Sequence, residues 1–321
     1  MKDNTMNPIT LSPTIPQSSV SLIVLAYNHA RYLPQLFCSI SANIGDIREL
    51  IFIDNGSSDN SASLMKEFLT EADSQVSGRL FCNPPRTGVT YAVNVALHAA
   101  TSEYVAVISG DDYLLDKRFS HQLVAMHADP TIQFCYSNGY VCDDNGVLTG
   151  VPVHNDSTVA LLMRPAAEIA HELYYPTPTL FTQCALFKRN ALLDVGGWDE
   201  DLVIDDWPLN LKLFAKFGSG FLYIDAFVSA YRRHLTNASK RRFRQYMGQK
   251  RVLQKYARGS DLSRGMFALL ATQGLASLRR KQWLRTRIFL LAALGCKPGL
   301  HFITKWLTNE VRRRIRSNQI R

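Results

Sequence analysis

No stretch of this 321-residue chain is apolar for long enough to cross a bilayer. The longest run near the C-terminus, Ile288 to Cys296, is under half of the about 20 residues that a spanning helix needs. Met1 to Ser19 has a single early Lys2 and no apolar core behind it, so it reads as a flexible leader and not as a signal peptide. The six cysteines (Cys38, Cys82, Cys135, Cys142, Cys184, Cys296) form no CxxC pair and have no histidine cluster beside them. That argues against zinc or a disulfide framework and for buried free thiols in a reducing cytoplasm. No GxGxxG follows the first strand-like run, which excludes the glycine fingerprint of dinucleotide folds. No internal repeat is visible.

Acids are scarce in one part of the chain only. Residues 240–321 carry 21 Lys and Arg against Asp261 and Glu310, a net +19, while the preceding 239 residues have 15 basic and 25 acidic side chains, a net −10. An acidic body with a basic tail predicts two parts with different tasks. With 46% hydrophobic residues the chain can build one large domain and an appendage.

Val20–Ala26 is a continuous apolar run, as in a parallel strand covered on both faces. Helices are expected at 32–41, 60–72 and 90–100, alternating with strands at 49–54, 79–82 and 104–109. This β-α-β-α-β-α-β series predicts an α/β fold with a doubly wound, mostly parallel, Rossmann-like sheet. Beyond it come a helix at 117–127, a strand at 133–142 and an irregular polar stretch to about residue 171. A strand at 179–187, helices at 189–195 and 209–217, and a last strand at 221–231 follow. The pattern then turns helical and basic, so the division is 1–19 leader, 20–239 α/β domain and 240–321 helical C-terminal region.

Chemistry concentrates where strands end. Tyr104–Ser109 runs into Gly110, Asp111 and Asp112. Two carboxylates at a buried strand tip are costly without a cation, and open α/β sheets place their ligand crevice there. A hard divalent metal shared with substrate phosphates suits them, although the dipeptide alone is equally compatible with a solvated turn. Asp54 also ends a strand and is followed by Asn55-Gly56-Ser57-Ser58-Asp59; its carboxylate can accept from a base N–H or a ribose hydroxyl, or merely shape the turn. Arg86, at the entry of the helix bearing Asn94, suits a phosphate. Gly196-Gly197-Trp198 makes a tight turn with an aromatic platform, and Asp205-Asp206 opens a helix, either as a cap or as a general base. Tyr231-Arg232-Arg233-His234 could hold a pyrophosphate or complete a metal site.

The order of these motifs resembles the family 2 glycosyltransferases. The residues that carry the resemblance are Leu25-Ala26-Tyr27-Asn28, Ile53 to Asp59, Gly88-Val89-Thr90 with Asn94, Ser109 to Asp112, Gly196 to Glu200, Asp205-Asp206-Trp207 and Tyr231 to His234, across residues 20–239. The resemblance implies a GT-A fold and inverting transfer from a nucleoside diphosphate sugar with Mg2+ or Mn2+. It implies that Tyr27 and Asp54 hold the nucleobase, that Arg86 lies along the nucleotide and that Asp111 meets the ribose, with Ala26, Asn28, Gly88 and Asn94 also in the nucleotide-sugar site. Asp112 would coordinate the metal with His234, Asp206 would be the base with Asp205 beside it, and Trp198 and Trp207 would lie on the acceptor side. Two departures stand out: Ser109 occupies the first acid of the family's Asp-x-Asp, and Pro208 follows Asp-Asp-Trp where an acid is frequent.

The expected donor is a uridine or thymidine diphosphate sugar in preference to a guanosine one. The expected acceptor is a glycan or a polyprenyl-diphosphate-linked glycan of bacterial surface polysaccharide such as O-antigen. The alternative of a nucleotidyltransferase making nucleotide sugars lacks support because its Gly-rich basic loop is missing after the first strand of this chain, and nucleic-acid binding by the tail is disfavoured because its aromatics fall mostly at helical core spacing. Trp283 and Trp306 flank the tail's apolar segments amid arginines. The tail is therefore expected on the anionic inner face of the plasma membrane, the alternative being a helical subdomain packed on the catalytic domain or on a second subunit in a homodimer.

Overall fold

A computed structural model describes residues 20–308 except 73–74, 86, 176–179, 236, 238–241 and 305. In chain order its elements are β1 (Val20–Ala26), α1 (Leu33–Ala42), β2 (Ile47–Asp54), α2 (Ser61–Ala72), β3 (Ser77–Cys82), α3 (Val89–Ala99) and β4 (Tyr104–Ser109). There follow β5 (Tyr113–Leu114), α4 (Ser120–Ala128), β6 (Phe134–Cys142), β7 (Leu148–Pro152), α5 (Asp156–Leu162), α6 (Ala166–Glu172), β8 (Ala185–Lys188) and α7 (Arg189–Asp194). The last are α8 (Asp206–Phe217), β9 (Phe221–Arg232), α9 (Arg242–Tyr256), α10 (Gly259–Arg279) and α11 (Trp283–Gly295).

Among the described residues one sheet runs β3-β2-β1-β4-β8-β6-β9-β5, with β7 on β6. The β3-β2-β1-β4 half is parallel; β8 is antiparallel to β4 and β6, and β9 returns parallel to β6. The alternation of side chains along a strand divides the apolar runs between two cores. Ile23, Ile51 and Ile53 enter one, while Leu22, Val24, Leu50 and Phe52 enter the other on the opposite face. This is the mostly parallel α/β architecture that the sequence pattern predicts. The parallel strands bring their C-terminal tips, at Ala26, Asp54 and Ser109, to one edge of the sheet.

Two expectations are corrected. The stretch 143–171, read as irregular, contains β7, α5 and α6. β7 is an edge strand exposed along most of its length, so it shows no apolar alternation, and two seven-residue helices are too short to display a 3.6-residue period. The expected strand at 179–187 is strand only from Ala185, because Thr182–Cys184 forms a 3-10 turn; residues 176–179 lie outside the described residues. The expectation of buried free thiols holds for Cys135, Cys142 and Cys184. Cys38 and Cys82 are free but exposed.

The basic region is helical as expected, and its first helix joins the body. Val252 of α9 lies in the main core, and a Cβ at Gly248 would come within 2.9 Å of Ile204. α10 and α11 form a helical hairpin that closes where Gly274 meets Leu290; a Cβ there would lie 2.9 Å from the Leu290 side chain.

Candidate active site

The site is assembled at the strand tips. Backbone N–H of Gly110 donates to Leu25 O at 2.8 Å, locking the turn after β4 to β1. A Cβ at position 110 would meet Ala26 Cβ and His29 Nδ1 at 3.0 Å each, so any side chain there would have to push these neighbours back. Beside it, Asp111 is buried with its Oδ2 2.8 Å from His234 Nε2 and 3.8 Å from His29 Nε2. Burial pushes the Asp111 carboxyl up, but the hydrogen bond from His234 and the charge of His29 hold it below the ordinary carboxylate value. Burial lowers His29 despite the nearby Asp111 charge.

Asp112, expected to face a metal, is turned inward. Its Oδ1 accepts the backbone N–H of Arg232 at 2.7 Å, and its Oδ2 lies 3.3 Å from Gln183 Nε2. Burial and then the charge of Asp111 raise its carboxyl well above the usual range. The Arg232 guanidinium, a candidate pyrophosphate ligand, is also taken by the protein: Nε donates to Asp111 O at 2.6 Å and Nη2 to Gln35 Oε1 at 2.6 Å. Arg232 therefore braces the Asp111 backbone, while Arg233 stays exposed at the strand end.

Across the edge, Asp54 Oδ2 accepts the N–H of Ser57 at 3.0 Å, while its buried Oδ1 has no partner. An unpartnered buried carboxylate oxygen calls for a donor, from water or from a ligand. Tyr27, 54% exposed, follows Ala26, whose backbone O accepts from Asn55 N–H at 2.8 Å. Asn28 adopts a left-handed conformation (φ 55°) and its Oδ1 accepts from Ser58 N–H at 2.7 Å. Its side chain thus pins the Asp54 turn. Gly88 caps α3, and Arg86 lies outside the described residues.

The second acidic pair opens α8. Asp205 Oδ1 accepts from Asp206 N–H at 3.0 Å, and Asp206 in turn accepts from the Thr182 hydroxyl and, at 3.4 Å, from the Thr182 N–H. Burial raises both carboxyls, and the Asp205 charge raises Asp206 further. Pro208 sits in the first turn of α8, where a missing N–H costs nothing. Thr182 holds Asp206 while its neighbour Gln183 touches Asp112, so one 3-10 turn ties the two acidic pairs together.

Three sequence-selected residues do other work. Asn94 accepts from Trp198 N–H at 2.8 Å and donates to Trp198 O and Glu200 Oε1, so its amide clamps the Gly-Gly-Trp turn. Trp198 is 3% exposed within the core, so its ring is closed to an acceptor, which corrects the expected platform. Trp207 donates its indole N–H to Leu173 O at 2.5 Å and packs beneath α9 and α10. The loop between Gly197 and Asp206 is held by α8 and α9: Lys212 Nζ donates to Gly197 O at 2.5 Å, Lys255 pairs with Asp199 and Asp201 at 3.2 and 2.7 Å, and the Tyr256 hydroxyl donates to Asp199.

The sequence pattern described as Glycosyl transferase family 2 matches residues 21–196, more than half of the chain. The chain belongs to this family. A poly-beta-1,6-N-acetyl-D-glucosamine synthase of Staphylococcus epidermidis is 24% identical over 194 residues, 60% of this glycosyltransferase and 45% of that synthase. The chain thus spans about half the length of such curated relatives. The mannosyltransferase PcManGT from Pyrobaculum calidifontis, in complex with GDP-Man and Mn2+, superposes with a TM-score of 0.59 at 20% identity, covering 89% of this chain and 88% of that one. S. aureus TarS in complex with UDP-GlcNAc superposes with a TM-score of 0.60 at 14% identity over 86% and 80% of the two chains. The fold of this glycosyltransferase is therefore GT-A.

Among the described residues no group of three His, Cys, Asp or Glu is close enough to hold a metal by itself. The glycosyltransferase does offer a carboxylate and an imidazole 2.8 Å apart, with a second imidazole 3.8 Å from the same oxygen. Such a donor set fits a divalent ion that takes its remaining ligands from substrate phosphates and water. Sequence reasoning missed His29, Thr182 and Gln183. His29 had a signal, since it follows Tyr27-Asn28 at the tip of β1 beside β4. Nothing in the sequence marks Thr182 or Gln183.

Proposed function

We propose that this glycosyltransferase moves a sugar from a nucleoside diphosphate donor to a hydroxyl of a glycan or lipid-linked glycan, inverting the anomeric centre in a single in-line displacement. The observation that carries the reading is the convergence at one sheet edge of the Asp111–His234 pair, the unpartnered Asp54 Oδ1 and the raised Asp206 carboxyl. Asp54 Oδ1 can accept the ring N–H of uracil or thymine, and Tyr27 can cover the base.

Asp111 and His234 would hold a divalent Mg2+ or Mn2+, with His29 in reach and Asp112 supporting them through the β9 backbone. When bound, such an ion neutralises charge on the departing diphosphate. Asp206, oriented by Thr182, accepts the proton of the acceptor hydroxyl as its oxygen bonds to the anomeric carbon, and the bond from that carbon to the diphosphate oxygen breaks. Burial and the Asp205 charge raise its carboxyl, so once deprotonated it holds the transferred proton more strongly than an ordinary carboxylate, and Asp205 fixes the start of the helix that carries it. No covalent intermediate is required.

The test is a panel of UDP-, dTDP- and GDP-sugars incubated with the purified protein, with and without Mn2+, read as released nucleoside diphosphate. Turnover of one or more UDP or dTDP donors, lost in Asp111→Asn, supports the reading. No turnover of any donor, with or without Mn2+, would overturn it.

A further inference from the structure

The two faces of α11 are unlike. One packs inward: Thr286 and Ala293 are buried, Leu290 meets Gly274 of α10, and the Phe289 ring lies 5.6 Å from that of Tyr246. The other carries Trp283, Leu284, Ile288, Leu291 and Leu294, all between 57 and 73% exposed. At about 100° per residue these five fall within an arc of about 140°. Soluble monomers seldom leave so continuous an apolar stripe in water. Exposed Arg285 and Arg287 project from the same helix, with Arg279, Arg280 and Lys281 just before it. No Asp or Glu occurs between Asp261 and Glu310.

That charge pattern selects the occupant. A second copy applying the same face would set arginines against arginines with no acid in the element to pair them. Spanning is excluded among the described residues, because none of their helices is long and apolar enough to cross a membrane. A surface that offers both an apolar layer and a dense plane of negative phosphates satisfies both halves of the helix. We propose that the exposed face of α11 docks on an anionic lipid bilayer, lying in its plane with Leu284, Ile288 and Leu291 at the headgroup–acyl boundary and the arginines among the phosphates. Arg287 falls inside the apolar arc, and its long stem reaches outward to the phosphates. The inference rests on the exposure and charge of α11 and stands whether or not the donor chemistry proposed above is right.

The test uses the full chain in flotation with vesicles of phosphatidylcholine alone or with phosphatidylglycerol added. Two double variants accompany it, L284Q with L291Q and R285E with R287E. All four side chains are exposed, so the fold should persist, which circular dichroism checks. The expected result is flotation with the phosphatidylglycerol vesicles only, weakened by salt, with partitioning lowered at least about tenfold in each double variant. Failure of the wild type to float would overturn the proposal. So would unchanged flotation of the leucine variant, which would mean charge alone holds the protein. A dimer in sedimentation that the leucine variant dissolves, without lipid binding, would make the face a contact between copies instead.

Discussion

Replacing Asp206 by Asn tests the proposed base at its most specific point. The amide is nearly isosteric, and its Oδ1 keeps an acceptor for the Thr182 hydroxyl, so the start of α8 and the donor side of the site should stay in place. What is lost is the ability to take a proton. General base catalysis contributes about 10²–10⁴ in rate, or about 2.7–5.4 kcal/mol at 1.36 kcal/mol per decade, so kcat should fall by that factor with donor KM unchanged. The pH profile carries a second signature. Burial and the Asp205 charge raise the Asp206 carboxyl, and a base works only when deprotonated. The wild-type rate should therefore rise with pH along a limb above the ordinary carboxylate range, and Asp206→Asn should lack that limb. Stability moves the opposite way. The unfolded chain releases this proton at the ordinary value and the folded chain only at the raised one, so the carboxyl destabilises the fold progressively as pH climbs between the two. Asp206→Asn should melt at or above the wild-type temperature at neutral pH and lose that advantage in acid. Released diphosphate in the presence of an acceptor is the rate assay, and scanning calorimetry the stability assay. Transfer by Asp206→Asn within a few-fold of wild type would refute the reasoning, as would an inactive Asp205→Asn beside an active Asp206→Asn.

EDTA should abolish transfer and Mn2+ restore it. Asp111→Asn should be inactive at any metal concentration, while Asp112→Asn, whose oxygens are turned to Arg232 N–H and Gln183, should keep activity within about tenfold; the reverse ranking would return the metal to Asp112. Gly110→Ala would press a methyl to 3.0 Å from Ala26 and His29, and should lower stability by about 1–3 kcal/mol in urea melts while cutting activity; an unperturbed variant would show that the turn can give. Tyr256→Phe removes the hydroxyl that holds Asp199, and should lower kcat several-fold with donor KM unchanged because it loosens the loop before Asp206. A matching rise in donor KM would instead place its effect on the nucleotide side.

Much of the fold is legible in the amino-acid order because its signals are local. The continuous apolar runs of β1 and β2 declare strands covered on both faces, and the acids that end β2 and follow β4 fall at strand tips whatever the rest does. Strand alternation alone then sends Ile51 and Phe52 to opposite cores. The basic composition of the tail and its helical pattern are likewise properties of the chain, as is membership of its family.

Tertiary structure decided everything that depends on facing. Asp111 and Asp112 are neighbours of identical chemistry, and one step along the backbone turns a side chain to the other side. Only the arrival of Arg232 and His234, more than a hundred residues later, shows that Asp111 meets the imidazole and Asp112 the backbone. Trp198 reads as a platform until Asn94, on a distant helix, is seen to clamp its turn within the core. Thr182 and Gln183 carry no motif, because their importance lies in joining two acidic pairs more than ninety residues apart in the chain. In the tail, apolar residues at helical spacing are equally apt for a core or a surface. Packing of α11 on α10 consumes Leu290 and Ala293 and leaves Leu284, Ile288 and Leu291 in solvent. Periodicity specifies a helix with an apolar face; what that face meets depends on where the other elements have already packed.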